Sequence, residues 1–415
     1  STQGVSSAAS DVYKRQIHVK DNNMQTKKSS NLAIALIWFT AAISMAEILT
    51  GTWFAPLGWQ QGLIAIVVGH FIGGSMFFCA GYIGAKTQKS AMQTVQISFG
   101  EKGSALFSLL NAMQLMGWTA VMIYMGADVI SILNQTADAS IFPFLTLGLG
   151  ILIILWLLLG FTKLGIFKSL SLVTMFLLML WLSIQVANKP FIAMDVAQNI
   201  KFGTAVEIAA VMPLSWLPVV SDHTKNSETP FKTTALSMLT YTATSCWMYA
   251  LGLGAALVTG KSEISQILSL AGVSVIGVLI VIASTMINTA LPAYSTGMSL
   301  NNIFPQLKVT PISVITVIVG IILASTLPVT EYEHFLFFIG SVFAPMIAVL
   351  IADFFVLKQH DVKKSVDSVG LGVWFVGFVL YRFLMAKGWE TDLGLTFPVI
   401  IITFILAILV RKIAK

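Results

Sequence analysis

Charged residues are scarce in this sequence, and cysteine is almost absent. Only 10% of the 415 residues are charged, whereas soluble globular proteins contain about 25%. The two cysteines, Cys79 and Cys246, lie in apolar stretches without the spacing of metal ligands or of a disulfide framework. The alternation of apolar and polar residues that is typical of an outer-membrane barrel is also missing.

Long apolar segments fill the chain, and its mean hydropathy is +0.86. A helix that crosses a bilayer needs roughly 20 mostly apolar residues, and such segments leave no room for a separate soluble domain. We therefore predict an all-α polytopic membrane protein. Its twelve predicted transmembrane helices cover residues 31–56, 59–86, 103–134, 142–161, 165–187, 203–221, 232–259, 270–303, 311–328, 334–357, 367–386 and 393–412.

The first 30 residues differ from the rest because they are polar and lack the apolar core of a signal peptide. We predict that residues 1–30 form a disordered cytoplasmic tail. The stretch VSSAASDVYKRQ resembles translated adapter sequence, so we expect residues 1–23 to be non-native and Met24 to be the natural start.

The net charge of +6 follows the predicted membrane topology and does not indicate nucleic-acid binding. If the N-terminus is cytoplasmic, all but five of the 24 lysines and arginines fall in cytoplasmic ends and loops. The exceptions are Lys189, Lys201, Lys261, Arg382 and Lys387. By the positive-inside rule, this bias predicts a multi-pass protein of the plasma (inner) membrane with both termini in the cytoplasm.

Two predicted spans contain residues that interrupt helices. In the first span an acid precedes residues 50–56, TGTWFAP, and in the sixth Pro213 and Pro218 flank Trp216. Proline inside a helix removes a backbone hydrogen bond, so we predict unwound chain at both places. Interrupted helices at corresponding places of two halves indicate the central site of a transporter.

The positions of these breaks predict a five-plus-five arrangement. Spans 1 and 6 each open a group of five, and because five is odd the second group has inverted topology. We predict a first repeat at residues 31–187, a second at 203–357, and two additional C-terminal helices at 367–412.

Glu47 is the most deeply placed acid of the predicted spans. A charged side chain at mid-bilayer costs at least about 2.5–3.5 kcal/mol, so such a group indicates function. Glu47 could carry a proton, accept hydrogen bonds from substrate N–H groups, or both. His70 fits a packing role better than a proton relay, and Glu207 lies early in span 6, near the outer interface.

Trp118 and Trp216 lie at mid-depth, although tryptophan usually occurs at membrane interfaces. Their rings could hold a flat heterocycle between them by offset stacking. Span 8 could contribute oxygen atoms to a cation site, together with backbone carbonyls of span 1. Its polar side chains at neighbouring helical positions are Ser284, Thr285, Asn288 and Thr289.

The segments MGWTAVM, SWLPVVSDHTK and GSVFAPMIAVLIADFFVLK resemble motifs of the nucleobase–cation symporter-1 (NCS1) family, and the similarity covers essentially residues 31–415. Glu47 and the chain length are most similar to the hydroxymethylpyrimidine/cytosine permease branch. The resemblance implies a LeuT-like fold and a secondary active transporter that works by alternating access. Its implied cargo is a pyrimidine-type heterocycle, either cytosine-like or the thiamine precursor hydroxymethylpyrimidine, imported with a cation.

The resemblance also implies the residues of the site, with the substrate ring between a helix 3 and a helix 6 tryptophan. The matched substrate-binding positions are Glu47, Trp118, Met122, Ser215, Trp216 and Asn288. The matched sodium positions are the carbonyls of Ile43 and Ala46 and the side chains of Ser284 and Asn288. Met122 stands where the family often has an amide, and Asn288 stands where it often has a hydroxyl. Na⁺ and H⁺ therefore both stay open as the coupling ion. No other cofactor or metal is implied.

Other functions remain open at this point. The cargo could be a purine, uracil, allantoin or a hydantoin. An intramembrane enzyme would need a nucleophile or metal motif. A channel would need a filter loop or rings of like residues. Neither pattern is in the sequence. We therefore predict a transporter without enzymatic activity, whose partners are a small heterocyclic substrate and the lipid bilayer, and not nucleic acid. The sequence does not predict an oligomeric state.

Overall fold

The computed structural model describes residues 30–131, 139–159, 165–192, 200–262, 267–268, 275–304, 306–327, 331–389 and 391–414. Within these ranges the regular structure is helical, apart from one isolated bridge between Thr391 and Gly394. This confirms the predicted all-α fold. The predicted N-terminal tail, except residue 30, lies outside the described residues.

We number the helices in chain order. They are α1 Asn31–Ala42, α2 Met45–Thr52, α3 Gly58–Thr87, α4 Ala91–Phe99, α5 Ser104–Ser131, α6 Phe142–Leu159, α7 Gly165–Ala187, α8 Phe202–Leu214, α9 Leu217–Thr224, α10 Pro230–Thr259, α11 Val275–Ile303, α12 Val309–Thr326, α13 Glu331–Ile351, α14 Ser368–Ala386 and α15 Thr396–Ile413. Short 3₁₀ turns at Ala55–Leu57 and Ala139–Ile141 precede α3 and α6, and a π-helical turn, Ala352–Val356, extends α13.

Most of these helices are long and apolar enough to cross a membrane. Among the described residues, ten segments meet this criterion, and the bent pair α1–α2 brings the number to eleven. Helix α10, with 30 residues, is not among them, because its serine, threonine and tyrosine side chains lower its hydropathy. The polytopic membrane fold is therefore confirmed, and the number of twelve spans stays a prediction.

The first predicted span is broken, but not where the sequence analysis placed the break. Helices α1 and α2 meet at an angle of 50°, and residues 43–44 separate them. The Ser44 hydroxyl accepts a hydrogen bond from the Ala46 N–H and so starts α2. Residues 50–56 do not unwind the middle of the span. Residues 50–52 end α2, residues 53–54 form a turn, and residues 55–56 begin the 3₁₀ turn that leads into α3.

The sixth predicted span is interrupted for two residues only, Ser215 and Trp216. Both keep right-handed helical backbone angles, and α8 and α9 together still form one span. Pro213 lies inside α8 and Pro218 lies in the first turn of α9. The interruption is at the predicted place, but the unwound chain expected there is wrong, because Ser215 and Trp216 keep helical backbone angles.

A short helix, α4, occupies the predicted loop between spans 2 and 3. The carboxylate of Asp222, at the end of α9, accepts a hydrogen bond of 3.1 Å from the backbone N–H of Ala91. An acid at a helix N-terminus satisfies a free N–H group and is favoured by the helix dipole. Asp222 therefore has a helix-end role.

Arg411 of α15 joins the ends of three other elements. Its guanidinium donates 2.8 Å hydrogen bonds to Asp353 of the π-helical turn, to Asp367 before α14, and to the carbonyl of Ser98 in α4. Asp367 also caps α14 by accepting from the Gly370 N–H. Burial opposes ionisation of Asp367, but these donors hold the pKa of its carboxyl below the usual value. The C-terminal helix is thereby tied to the helical core.

Helices α2 and α10 approach each other at backbone distance through two glycines. A Cβ atom at Gly51 would lie 2.2 Å from the carbonyl oxygen of Tyr249, and a Cβ atom at Gly252 would lie 1.9 Å from that of Ile48. Small residues allow membrane helices to pack this closely. The position of α2 against α10 therefore depends on these two glycines.

Gly51→Ala is expected to destabilise the protein, because the new methyl group meets backbone atoms that cannot turn away. Overpacking of this kind costs about 1–3 kcal/mol. The melting temperature of the purified protein in detergent measures the effect. Gly372→Ala is the matched control, since nothing lies within 4 Å of a Cβ atom there, and equal melting temperatures for the two variants would contradict the close packing of α2.

Candidate substrate and coupling site

Glu47 lies on the first turn of α2, directly after the break, and is only 2% exposed. Its Oε1 accepts a 2.9 Å hydrogen bond from the Tyr241 hydroxyl, and its Oε2 accepts a 2.6 Å hydrogen bond from the Ser245 hydroxyl. Tyr241 and Ser245 are four residues apart on α10, so they share one face of that helix. Among the described residues, no lysine or arginine forms an ion pair with Glu47.

The Glu47 hydrogen bonds continue in two directions. The Tyr241 hydroxyl also accepts a 2.9 Å hydrogen bond from Nε1 of Trp216, at the break between α8 and α9. The Ser245 hydroxyl lies 2.6 Å from Nε2 of His70 in α3, whose Nδ1 lies 2.9 Å from the Ile66 carbonyl. One buried network therefore contains Glu47 and Trp216, and it includes His70, for which the sequence analysis favoured a packing role.

Trp118 belongs to a separate aromatic group. Its ring packs edge-on against Tyr332 at 5.8 Å and against Phe335 at 5.6 Å. The ring of Trp216 packs instead against Trp38 and Tyr241, and none of the described ring contacts joins Trp118 to Trp216. The stacking of a substrate between the two tryptophans therefore stays a prediction.

Helix α2 stands between the two aromatic groups. The hydroxyl of Tyr332 lies 3.2 Å from that of Thr50, and Thr50 follows Glu47 by three residues. One side of α2 thus contacts the Trp118 group through Thr50, and another contacts the Trp216 network through Glu47. A movement of α2 would change both groups at once.

Each break accepts a hydrogen bond from a side-chain amide of a distant helix. Gln114 of α5 donates to the carbonyl of Ser215 at 2.8 Å, and Asn288 of α11 donates to the carbonyl of Ile43 at 3.1 Å. Gln114 also donates to Asn111, and its Oε1 is buried without a partner. Gln114 is not among the predicted site residues, although an amide one turn before Trp118 in an apolar span is a usable signal.

The other predicted site residues lie on the same helices with their own local contacts. The Ala46 carbonyl accepts from Thr50, and the Ser215 hydroxyl donates to the Met212 carbonyl. Ser284 is buried in α11 at 8% exposure, and Met122 of α5 packs at the edge of the main apolar core. These positions are compatible with a site at the two breaks, and their roles stay predictions.

A cavity of about 480 Å³ lies beside the Trp118 group, between α5, α12 and α13. Its wall is almost entirely apolar, and it contains neither Glu47 nor Trp216. The lining residues include Met113, Gly117, Tyr124, Leu323, Tyr332 and Phe335. This cavity is therefore distinct from the polar network at the breaks.

The buried network at interrupted membrane helices is the arrangement of a secondary transporter. The chain belongs to the family of permeases for cytosine/purines, uracil, thiamine and allantoin, whose sequence model matches residues 22–368. This membership confirms the predicted NCS1 resemblance and the prediction of a transporter that is not an enzyme.

Named relatives agree with this membership. The cytosine permease of Escherichia coli K12 is 23% identical over 353 residues, which are 82% of this chain and 83% of the relative. The cytosine permease of Escherichia coli O157:H7 matches to the same extent. Mhp1, a nucleobase–cation-symport-1 transporter, in a closed conformation with bromovinylhydantoin bound, has a TM-score of 0.74 at 18% identity, and 93% of each chain is covered. This likeness confirms the LeuT-like fold.

Proposed function

We propose that the protein imports a pyrimidine-type heterocycle, cytosine-like or hydroxymethylpyrimidine, together with a cation. The observation that carries the proposal is the buried Glu47 network at the break between α1 and α2. It places hydrogen-bonding groups for a polar ring inside a fold shared with transporters. We infer that the protein acts in the plasma membrane with both termini cytoplasmic, as the positive-inside rule predicts.

In this proposal the substrate ring binds between Trp118 and Trp216, with Glu47 at its edge. Each carboxyl oxygen has two lone pairs, and Oε1 uses one of them for Tyr241. The second is free for an amine or ring N–H of the substrate. Ser215, Asn288 and Met122 complete the site, at the breaks and on α5.

The chemistry of the relatives' cargo supports this class of substrate. The relatives are cytosine permeases, and the structure of Mhp1 contains a hydantoin. Both cargoes are flat rings that carry N–H donors and C=O acceptors on their edges. Such a ring pairs its polar edge with a carboxyl group and its faces with aromatic side chains.

Transport follows by alternating access. Substrate and cation together stabilise a closed state, and helices α1–α3 and α8–α10 then move against α5, α6, α11 and α12. The region offers two places for the cation: oxygens around Ile43, Ala46, Ser284 and Asn288 for Na⁺, or Glu47 for a proton.

A panel of ring compounds tests the substrate class. Uptake of radiolabelled cytosine into proteoliposomes is measured in competition with hydroxymethylpyrimidine, uracil, adenine, allantoin and a hydantoin. We expect saturable uptake and the strongest competition from the two aminopyrimidines. Stronger competition from adenine, allantoin or the hydantoin would replace the pyrimidine assignment, and the absence of saturable uptake or binding for every compound would reject the transport function.

Trp216→Ala is expected to raise the apparent substrate constant by about 5–150-fold, because stacking of a base on an aromatic ring contributes roughly 1–3 kcal/mol. Trp216→Phe keeps a stacking face and should have a smaller effect. Trp389, which is 67% exposed, offers the control Trp389→Ala. Equal uptake constants for the Trp216→Ala and Trp389→Ala variants would contradict a stacking role.

A further inference from the structure

A continuous row of polar groups runs from α3 to α2. His70 Nδ1 lies 2.9 Å from the carbonyl oxygen of Ile66, His70 Nε2 lies 2.6 Å from Ser245 Oγ, and Ser245 Oγ lies 2.6 Å from Glu47 Oε2. A carbonyl oxygen can only accept a hydrogen bond, so Nδ1 carries a hydrogen atom. In a neutral imidazole Nε2 is then an acceptor.

The two 2.6 Å contacts of Ser245 need two hydrogen atoms, and its hydroxyl supplies only one. The second must lie on Glu47 as a carboxylic acid or on His70 as an imidazolium. Without it, one of the contacts would bring two lone pairs together at 2.6 Å. The observed geometry is therefore that of the row with one proton bound, and the row titrates as a unit.

The surroundings favour the proton-bound row. With the proton, Glu47, Ser245 and His70 together have no net charge in either arrangement, and without it they carry one negative charge. The other titratable groups that face Glu47 and His70 are Tyr241, Cys246 and Tyr249 on α10 and Tyr332 on α13. None is a cation, and a buried unpaired charge is costly.

The contacts at the predicted sodium position differ from those of the row of Glu47, Ser245 and His70. The Ile43 carbonyl accepts a hydrogen bond from Asn288 Nδ2, so an N–H donor points at the oxygen that would bind the ion. Without an ion the amide cannot be reversed, because its oxygen would then face the carbonyl oxygen, so Na⁺ binding here would require that reversal. Gln114 donates to the Ser215 carbonyl in the same way, and in a five-plus-five arrangement spans 3 and 8 are equivalent. At each break a side-chain amide N–H occupies the free carbonyl, so in this arrangement the Ile43 carbonyl is used by a donor and not by Na⁺.

We propose that the coupling ion is a proton, held by the row of Glu47, Ser245 and His70, and that no Na⁺ binds at Ile43. Its coupling role rests on the proposed transport function. The proton enters from the outer solution, bonds to Glu47 Oε2 or His70 Nε2, and ties α2, α3 and α10 together. After the inward movement it leaves to water on the other side, and the row is left with one negative charge.

The Glu47→Gln variant removes the dissociable proton but can keep the hydrogen bonds of the row. The glutamine amide donates to Ser245, the Ser245 hydroxyl turns to His70, and the amide oxygen accepts from Tyr241. Every contact is satisfied without a dissociable proton. We therefore expect substrate binding by this variant to lose its pH dependence, whereas binding by the unmodified protein weakens as the pH rises. Glu333→Gln, which changes an acid outside the network, should keep the pH dependence.

The ion is identified in proteoliposomes with the membrane potential clamped by potassium and valinomycin. Cytosine uptake is driven either by an inward proton gradient without sodium or by a sodium gradient at equal pH. The proposal predicts uptake with the proton gradient, proton movement that follows substrate addition, and no proton-driven accumulation by the Glu47→Gln variant. Uptake driven by sodium and insensitive to the pH gradient would overturn it.

A second measurement needs no substrate. Infrared difference spectra of the purified protein across a pH titration should show carboxyl or imidazole ring bands that disappear in the Glu47→Gln variant and persist in the Glu333→Gln variant. Titration bands that are identical in the Glu47→Gln variant would reject the proton site. If no ring compound is taken up with either gradient, the transport function fails, and this experiment still decides whether the row binds a proton.

Discussion

Replacing Glu47 with alanine is expected to reduce substrate uptake at least 100-fold, to the background of empty vesicles. The change removes the acceptor of the buried Tyr241 hydroxyl and the carboxyl partner of Ser245, whose hydroxyl can turn to His70. Each buried group left unpaired costs about 1–3 kcal/mol, and the proposed substrate acceptor is lost as well. A loss of about 2.7 kcal/mol is sufficient for a 100-fold effect. Initial uptake rates in proteoliposomes, normalised to the amount of folded protein, measure it.

Glu47→Asp is the matched variant for this prediction. Aspartate keeps the acid, but its side chain is one methylene shorter and cannot reach both Tyr241 and Ser245 without a shift of α2. We expect measurable but reduced uptake from the aspartate variant. If the alanine variant transports at a normal rate per folded molecule, the central role of the acid is wrong.

The helical architecture could be predicted well because it depends on local composition. Predicted span 165–187 has the same limits as α7, and predicted span 232–259 begins two residues after α10 does. Helix α10 shows where the prediction of a membrane span from hydropathy fails. It carries Tyr241 and Ser245, and the same polar side chains that build the site lower the apolar signal of their helix.

The break in the first span was misplaced because the sequence analysis followed glycine and proline. The break itself, at residues 43–44, contains neither. Its signal is the pattern Ser44-Met45-Ala46-Glu47, a serine followed three residues later by a glutamate, which is typical of a helix N-terminus. The serine does cap α2, but Glu47 turns away from the cap to Tyr241 and Ser245.

The contacts of the site could not be predicted from one sequence. Glu47 meets Tyr241 and Ser245 across about 200 residues of chain, and this pairing depends on how α2 packs on α10. The sequence analysis identified Glu47 and Trp216 by their depth and by the breaks. It did not identify Gln114, because a hydrogen bond to a carbonyl of another span has no local pattern.

Glu207 forms another buried acid network, which connects α8 with the C-terminal helices. Its carboxylate accepts hydrogen bonds from the Tyr381 hydroxyl of α14 and from the Thr396 hydroxyl. It also accepts from the backbone N–H groups of Leu395 at 2.8 Å and Thr396 at 2.6 Å. Gly394, with φ of +72°, brings the chain to the carboxylate. An acid at this place satisfies the free N–H groups at the start of α15 and is favoured by its dipole.

Glu207→Ala is expected to destabilise the protein by about 3–5 kcal/mol, because each buried donor left without an acceptor costs about 1–3 kcal/mol. Four donors lose their acceptor in a place that water does not reach, since Glu207 is 1% exposed. Reversible unfolding in mixed micelles with increasing denaturing detergent gives the free energy of unfolding.

The Glu207→Gln variant keeps one acceptor oxygen, so its free energy of unfolding should lie between those of the unmodified protein and of the alanine variant. The Glu101→Ala variant, at an exposed position, should have nearly the same free energy of unfolding as the unmodified protein. If Glu207→Ala unfolds like the Glu101→Ala control, the carboxylate does not hold the C-terminal helices to α8. A loss of transport without a loss of stability would instead assign Glu207 to the transport cycle.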